Sequence, residues 1–197
     1  MKGEIVMADP RALRNKRLEN EYKELMRING DVINIVPMGK PPYEKYMVTF
    51  NIRTIVDAGP VYRNQTVCTL TIPPNYPESA PSIVANSRPY PWHINWYRSG
   101  HWCHGIWKRE ESLVNFLHRC ARTLQFDPEI TNPASVANSS ALPFWNEYKR
   151  KEAVIPCDRK VLPILDTQKL IVINKHSSPR ITIQNSAKPK ISIITKN

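Results

Sequence analysis

Apolar residues recur at two different periods along the chain, and the changes of period mark the predicted elements. The first interval, from Asp9-Pro10 to Gly30, has the three- and four-residue apolar spacing of an amphipathic helix. Its apolar positions are Leu18, Tyr22, Leu25 and Met26. Asp9 is a good capping residue, and Pro10 follows where its missing N–H costs nothing. Gly30 suits a helix end, so we predict a first helix across this interval.

Strand patterns follow. Residues 32–36 are short and β-branched, residues 46–52 and 68–72 alternate apolar with polar positions, and residues 81–84 form a last short apolar run. The separators KPPYEK and DAGPVYRNQ have turn composition, so the four segments predict an antiparallel meander. Cys68 falls on the apolar side of its strand, and we interpret it as a buried thiol.

The helical period returns after residue 112. Its apolar stripe consists of Leu113, Phe116, Leu117, Cys120 and Leu124, which places Cys120 in the core. The link DPEITNPASVAN then leads to ALPFWNEYKRKEA, a predicted third helix. Helix, four strands, an irregular aromatic segment and two helices predict an α+β fold, with helices on one face of an open antiparallel sheet.

The last 40 residues have a different pattern. An I-x-I triplet occurs at 171–173, 181–183 and 191–193, with Pro179 and Pro189 in equivalent places between the copies. The repeats predict short strands, so we divide the chain into a domain at 1–156 and a basic, β-rich extension at 157–197. The extension is either a structural appendage or a source of strands for a partner's sheet edge. No role is assigned to Cys157.

Composition and charge narrow the classes of function. Apolar residues make up 41% and charged residues 23%, as in globular proteins. Neither an apolar run of about 18 residues nor an apolar block in the first ten residues occurs, so we expect a soluble cytoplasmic protein without a membrane partner. Residues 158–197 carry eight Lys or Arg and two Asp, more than half of the net charge of +11. Because no basic run is interleaved with aromatic residues, nucleic-acid binding is only an alternative.

The segment HINWYRSGHWCH, residues 93–104, concentrates the chemically reactive side chains. His93, His101, Cys103 and His104 are all possible zinc ligands, but a second pair of ligands from another segment is missing, so we predict no metal site. A cysteine hydrolase would need a histidine held at hydrogen-bond distance from the thiol. His101 and His104 are too near Cys103 in an extended segment to make that arrangement favoured, and no predicted helix begins at Cys103 to activate it.

Two motifs with fixed spacing frame Cys103. Residues 73–81 read PPNYPESAP, a P-x-x-Y-P-x-x-x-P turn. Asn95 stands two residues after His93, Gly100 seven residues after His93, and Cys103 three residues after Gly100. With the order of elements, residues 9–153 resemble the ubiquitin-conjugating enzyme family, in which a proline turn, a His-Pro-Asn motif, a glycine and the active cysteine follow in this order. Trp107 resembles the family's tryptophan before its next helix.

The chain departs from the family pattern at several places. Ile94 replaces the proline of the His-Pro-Asn motif, and Ser135 stands where the family often has an acidic residue facing the cysteine. The link before Val67 lacks the usual Tyr-x-Gly-Gly sequence. The divergent form is most similar to bacterial relatives encoded beside ubiquitin-like proteins.

The resemblance implies a ubiquitin-conjugating-enzyme-like fold and a reaction. Cys103 would carry a ubiquitin-like protein as a thioester and yield it to an amine. Asn95 would stabilise the oxyanion, or brace the turn by bonding to backbone. His101 and His104 are candidate proton shuttles or plain surface histidines. Expected structural supports of the site are His93, Gly100 and Trp107.

The resemblance also implies partners. The expected partners are an activating enzyme, a ubiquitin-like protein, a target protein and a deconjugating protease of the same pathway, and no cofactor is expected. Arg14, Lys16 and Arg17 would dock the activating enzyme, although a basic helix face is also an ordinary solvated surface. The alternative within the same fold is a non-catalytic module that binds ubiquitin-like proteins, for which Cys103 would be dispensable.

Overall fold

Helix α1 (Pro10–Ile28) begins and ends close to the predicted residues. The computed structural model describes residues 9–151, 161–163, 180–184 and 190–194. The Asp9 carboxylate accepts the Arg11 N–H at 3.0 Å and caps the helix. Asn29 ends it, and the Asn29 side chain accepts the N–H of Ile35 at 2.8 Å. The helix buries Leu18, Glu21, Leu25 and Ile28.

A four-stranded antiparallel sheet follows, as the alternation predicts. The chain forms β1 (Ile33–Met38), β2 (Lys45–Phe50), β3 (Thr54–Asp57), β4 (Val61–Arg63), β5 (Thr66–Thr71) and β6 (Ser82–Ala85). The main sheet has the order β1-β2-β5-β6, and Val48 lies opposite both Ile35 and Cys68. These three side chains are almost completely buried, so the inner face of the sheet is the apolar side of the period-two pattern.

The segment between β2 and β5 contains two short strands and is not a simple turn. Residues 54–63, which the sequence predicts to be a connection, form a separate β3–β4 hairpin. Only Ala58, Gly59 and Pro60 connect its two strands. Thr54 and Ile55 are fully buried, so the β-branched residues at the edge of this separator contribute to the core.

Both later helices are present. Helix α2 (Leu113–Leu124) is capped by Ser112, whose hydroxyl accepts the N–H of Asn115 at 3.2 Å. Every member of its predicted apolar stripe is fully buried, including Cys120. A 3₁₀ turn (Ser139–Ala141) leads into α3 (Leu142–Lys151), and α1 packs against α2 and β1. The α+β prediction is therefore confirmed in its N-terminal helix, four-stranded antiparallel sheet and later helices.

A second apolar cluster positions the segment that contains Cys103. It consists of Ile55, Ile94, Phe126, Ala141 and Trp145. These residues come from β3, the cysteine segment, the turn after α2, the 3₁₀ turn and α3. Ile94 is only 1% exposed, so its burial helps to fix this part of the cysteine segment.

The chain divides into two compact units, Met1–Pro163 and Ile164–Asn197. Leu162 is buried in the first unit, which therefore extends beyond residue 156. In the second unit, β7 (Arg180–Gln184) pairs antiparallel with β8 (Lys190–Ile194), with Ile181 opposite Ile193. These strands contain the second and third I-x-I triplets; the first triplet and Cys157 lie outside the described residues. Among the described helices, none has the length and apolar character needed to cross a membrane.

Candidate active site

Residues 95–103 fold back on themselves in a short irregular hairpin. The Cys103 N–H donates to the Asn95 carbonyl at 2.9 Å, and the Tyr97 N–H donates to the His101 carbonyl at 2.8 Å. Trp96 lies opposite Trp102 between these bonds. Because side chains alternate across paired strands, Asn95, Tyr97, His101 and Cys103 belong to one face and the two tryptophans to the other.

The tryptophan face of this hairpin packs into the protein. Trp96 is fully buried and Trp102 is 6% exposed, with their rings stacked at a centroid distance of 6.5 Å. The hairpin is also joined to the edge of the main sheet at β6. The Ala85 N–H donates to the Gly100 carbonyl at 2.7 Å, and the Trp102 N–H donates to the Ile83 carbonyl at 3.0 Å. The sheet and the core thus hold the opposite face, which carries Cys103, toward the surface.

Gly100 makes the tight turn of the hairpin possible. Its φ of +89° is a conformation that side chains with a Cβ rarely adopt. A Cβ at this position would also lie 2.8 Å from a ring carbon of Tyr90 and 3.0 Å from the Ala85 carbonyl oxygen. The glycine is therefore required by conformation and by space, which explains its place in the spacing motif.

His93 lies beneath the hairpin as a buried neutral ring. Its Nδ1 accepts the backbone N–H of Asn95 at 3.0 Å, so Nε2 carries the ring hydrogen and faces the Thr131 hydroxyl at 3.4 Å. Burial lowers the pKa of His93 to about 3. The ring also packs edge-on against Phe126. These contacts are those of a structural residue that connects the hairpin to the loop after α2.

Asn95 connects the hairpin to the loop at residues 132–135. Its Nδ2 donates to the carbonyls of Asn132 and Ser135, both at 2.8 Å, and its Oδ1 accepts the Asn132 N–H at 2.8 Å. Both amide hydrogens are thus in use, and the side chain is 4% exposed. These contacts fit the alternative in which Asn95 braces the loop by bonding to backbone. The oxyanion role stays a prediction, and it requires Nδ2 to give up its hydrogen bond to one of the two carbonyls and donate to the oxyanion instead.

Cys103 is the accessible thiol among the described cysteines. Cys68 and Cys120 are fully buried, and burial raises the pKa of Cys68 to about 12 and that of Cys120 above its usual value. Cys103 is only partly buried, and its Sγ lies 3.8 Å from the Ser135 hydroxyl oxygen. The thiol lines a small pocket of about 40 Å³ together with Asn95, His104 and Ser135.

The two candidate proton shuttles lie in different surroundings. His101 is exposed, and its Nδ1 lies 3.1 Å from the Ser99 hydroxyl. The His104 ring packs near Trp102 and Phe116, at centroid distances of 6.0 and 5.4 Å. Burial, followed by the positive charge of Arg119, lowers the pKa of His104. The His104 imidazole is therefore neutral near pH 7, and the same two causes make it a weaker base than an exposed histidine.

Two site residues were missed from the sequence. Tyr97 shares the Cys103 face of the hairpin, and its exposed position among aromatic residues was not singled out. The sequence did allow Tyr97 to be found. If the chain turns at Gly100 and side chains alternate between the two faces, Tyr97 lies on the same face as Asn95 and Cys103. Arg119 of α2 forms a bidentate pair with Glu111 at 2.7 and 3.0 Å and donates to the His104 carbonyl. It belongs to the polar side of the helical pattern, and nothing local distinguishes it from a solvated arginine.

Trp107 fixes the chain after the cysteine. Its indole N–H donates to the Pro77 carbonyl at 2.7 Å, and its ring packs near Tyr76 and Phe116. The proline turn and the cysteine segment, which the sequence motif treats as separate pieces, are therefore in direct contact.

The three basic residues of α1 that the resemblance assigns to docking differ in availability. Arg14 bonds to Glu44 at 2.7 Å and to the Pro73 carbonyl at 2.9 Å. Arg17 bonds to buried Glu21 at 2.6 Å and to the Glu111 carbonyl at 2.9 Å. Lys16 is exposed, with a loose 4.0 Å contact to Glu19. The guanidinium groups thus stabilise the fold, while Lys16 is available to a partner.

Comparison of the sequence with models of known protein families gives no match, and comparison with curated proteins gives none either. Within the part of the chain that the structure describes, no group of three His, Cys, Asp or Glu side chains is arranged to hold a metal ion.

Proposed function

We propose that the protein is a conjugating enzyme that carries a ubiquitin-like protein as a thioester on Cys103 and transfers it to an amine of a target protein. The observation that carries the proposal is the placement of Cys103. Its thiol is accessible on the outer face of a hairpin held by the sheet and the core, whereas Cys68 and Cys120 are fully buried.

The arrangement around the thiol supports the same assignment. The spacing of His93, Gly100 and Cys103 resembles that of ubiquitin-conjugating enzymes, and each of these residues has a definite part in the hairpin. An α+β fold with an N-terminal helix and a four-stranded antiparallel sheet is compatible with that family's fold, which we propose for residues 9–151.

Loading is a thiol–thioester exchange. The Cys103 thiolate attacks the carbonyl carbon of the thioester on the activating enzyme, a new C–S bond forms, and the activating enzyme's sulfur leaves with the electron pair of the broken C–S bond. This step needs no strongly activated cysteine because the carboxyl group arrives already activated. Among the described residues, no histidine is hydrogen-bonded to the Cys103 thiol, which argues against a hydrolase but not against a carrier.

In the transfer step, Cys103 is the leaving group instead of the nucleophile. The amine nitrogen of the target attacks the thioester carbonyl, a C–N bond forms, and Sγ leaves as the thiolate while the amine loses a proton. His104 is neutral and lines the same pocket as Cys103, so it is the described histidine that we assign to accept this proton. Asn95 holds the Ser135 loop beside the sulfur in both steps.

The decisive experiment is thioester formation with purified partners. The protein is incubated with its activating enzyme, the ubiquitin-like protein and ATP, and the adduct is separated with and without a thiol reductant. We expect a reductant-sensitive adduct for the wild type, a reductant-resistant ester for Cys103→Ser and no adduct for Cys103→Ala.

An adduct on Cys103→Ala, or none on the wild type with partners shown to be active, would overturn the proposal. A non-catalytic binding module would bind the ubiquitin-like protein equally well with Cys103→Ala and form no thioester.

Docking of the activating enzyme is assigned to the exposed cations of α1. Arg11 and Lys16 are exposed, whereas Arg14 and Arg17 bond within the protein. The change Lys16→Glu should slow loading at low salt without changing the unfolding free energy, since charge complementarity acts mainly on association rate. Lys23→Glu, on the second half of the same helix, is the matched control. Equal loading rates for both variants would show that the enzyme docks elsewhere.

The C-terminal unit is assigned to binding of the ubiquitin-like protein. Two I-x-I triplets form paired strands in β7 and β8, and such strands bind partners by adding to an open sheet edge. Deletion of residues 164–197, which leaves the buried Leu162 of the first unit in place, should weaken binding while Cys103 remains chemically loadable. Unchanged affinity after the deletion would leave the unit as a structural appendage.

A further inference from the structure

Tyr97 shares a face with Cys103 because of the hairpin's hydrogen-bond register. Tyr97 is paired with His101, and Cys103 lies two residues beyond His101 on the same strand. Such diagonal neighbours on one face are within reach of an aromatic side chain. The Tyr97 ring remains 45% exposed, so it lies at the surface on the Cys103 face of the hairpin and does not contribute to the core.

The electrostatic contact between the two groups agrees with this placement. The charge of the Cys103 sulfur, and then a hydrogen bond to that sulfur, raise the pKa of Tyr97. The phenol is therefore protonated throughout the neutral range and can serve as a donor. Ser135 reaches the same sulfur from the loop after α2, at 3.8 Å.

The residue that would be the obvious donor at this site is already engaged. Both Nδ2 hydrogens of Asn95 bond to the carbonyls of Asn132 and Ser135. The side-chain groups that interact with the Cys103 sulfur are the hydroxyls of Tyr97 and Ser135, each of which can donate to a thiolate.

We propose that the Tyr97 hydroxyl donates a hydrogen bond to Sγ of Cys103 and stabilises the negative charge that this sulfur carries as attacking and as leaving thiolate, with Ser135 as a second donor. The proposal rests on the proposed function for its catalytic meaning. During transfer, the C–S bond breaks and its electron pair returns to Sγ, where the Tyr97 O–H accommodates the charge. The phenol keeps its own proton, and the proton of the amine leaves to the base.

This role predicts a pH signature that a merely structural tyrosine would not give. Without the Tyr97 hydroxyl, a smaller fraction of Cys103 is present as thiolate at a given pH, but each thiolate is more nucleophilic. The nucleophilicity rises with a Brønsted slope of about 0.4–0.5. If the midpoint of the pH–rate profile moves up by about one unit, the reaction slows about threefold below both midpoints and accelerates about threefold above them. The profiles of the wild type and of Tyr97→Phe should therefore cross.

The first experiment measures thiol–disulfide exchange of the purified protein with dithiodipyridine from pH 6 to pH 11. All proteins carry Cys157→Ser, and peptide mapping assigns the reacting thiol to Cys103, since Cys68 and Cys120 are fully buried. We expect a crossing profile for Tyr97→Phe and a shift in the same direction for Ser135→Ala. Tyr22→Phe, which removes a hydroxyl from a tyrosine of α1 that packs on Tyr43, is the matched control and should superimpose on the wild type.

The second experiment measures departure of the sulfur. A small glycyl thioester loads Cys103 by exchange without an activating enzyme, and aminolysis of the isolated acyl-protein is followed by intact-protein mass spectrometry. Tyr97→Phe should slow aminolysis about threefold at every pH, because a less stabilised thiolate is a poorer leaving group. A thiol that is merely shielded by the Tyr97 ring would react at the same rate in Tyr97→Phe, which retains the ring.

The outcomes separate this inference from the proposed function. A Tyr97→Phe profile that superimposes on the wild type, or a shift seen with Ser135→Ala alone, overturns the assignment of Tyr97 even if the activating enzyme loads Cys103 normally. A crossing profile and slowed aminolysis, together with failure of loading by active partners, would sustain the Tyr97–Cys103 hydrogen bond and overturn the conjugating function instead.

Discussion

The hydroxyl oxygen of Ser135 lies 3.8 Å from the sulfur of Cys103, although 32 residues separate them in the chain. Asn95 makes this approach possible. It leaves the hairpin strand opposite Cys103 and bonds by its side chain to both ends of the loop that carries Ser135. This buried amide holds the loop beside the thiol together with the Ile94 carbonyl, which accepts the N–H groups of Ala137 and Asn138 at 2.7 and 3.1 Å.

Replacing the Asn95 amide by a carboxylate tests this dependence. Asn95→Asp keeps the shape but places an oxygen against the carbonyls of Asn132 and Ser135. Both carbonyls then lose the hydrogen bonds that Nδ2 donates, and the new oxygen has no donor at a position that is 4% exposed. We expect the free energy of unfolding to fall by about 2–4 kcal/mol in urea denaturation. Asn86→Asp is the control, because Asn86 is exposed and bonds to Thr69 at the surface; its effect should stay within about 0.5 kcal/mol. Equal stability of the two variants would contradict the bracing role.

A glycine-to-alanine pair tests the turn of the hairpin. Gly100 and Gly105 both have positive φ, +89° and +73°, but a Cβ at Gly105 meets nothing within 4 Å. Gly105→Ala should therefore cost only the conformational strain, about 1–2 kcal/mol. Gly100→Ala should cost about 1–3 kcal/mol more, because its Cβ overlaps Tyr90 and the Ala85 carbonyl. The unfolding free energies are compared by denaturant titration, and identical losses would show that Tyr90 moves aside without cost.

The sequence predicted those features that depend on local periodicity. Cys68 and Cys120 were placed in the core because each falls on the apolar positions of its own element, and both are fully buried. The strand order of the main sheet followed from turn composition. The β3–β4 hairpin was missed because its short strands border residues of turn composition. Local propensity therefore predicted a loop, whereas burial of Thr54 and Ile55 favours a strand.

The details of the candidate site depend on distant parts of the chain. The partners of Asn95 are 37 and 40 residues away, and those of Glu21 include groups 55 and 92 residues away. Local sequence carries no information about such pairs. A glutamate of α1 that looks like part of a solvated face is in fact almost completely buried.

Glu21 should be one of the most sensitive polar residues of the protein. Its carboxylate accepts hydrogen bonds from Arg17 at 2.6 Å, from the Tyr76 hydroxyl at 2.8 Å and from the Leu113 N–H at the start of α2 at 2.8 Å. Glu21→Gln removes the charge that opposes Arg17 and turns one acceptor into a donor, which should cost about 3–5 kcal/mol of unfolding free energy.

Glu24→Gln on the same helix is the control for Glu21→Gln. Its pair with Arg27 is partly exposed, and its loss should cost less than about 1 kcal/mol. Both variants are compared by urea titration at pH 7. A Glu21→Gln loss as small as that of Glu24→Gln would mean that the buried carboxylate is not needed to join α1, the proline turn and α2.

His93 makes the stability of the fold depend on acid pH in a defined direction. The native state holds the ring neutral, with a pKa of about 3, whereas an unfolded chain protonates it near the ordinary value of 6.5. Between these values the unfolded state binds the additional proton. The contribution of the neutral His93 ring to the free energy of unfolding is therefore complete above pH 6.5. It is lost as the pH falls toward 3, at about 1.4 kcal/mol per pH unit.

The His93 contribution is isolated by comparing slopes instead of absolute stabilities. Burial also lowers the pKa values of His104 and His118, and their contributions have the same sign, but they persist in a His93→Gln variant. We expect His93→Gln to be less stable at pH 7 and to have a shallower fall in unfolding free energy between pH 6 and pH 4, by about 1 kcal/mol per pH unit. His101→Gln changes an exposed ring and should keep the wild-type slope. A wild-type slope in His93→Gln would mean that the buried ring takes up a proton without unfolding, and that its bond to the Asn95 N–H is not what holds the hairpin in place.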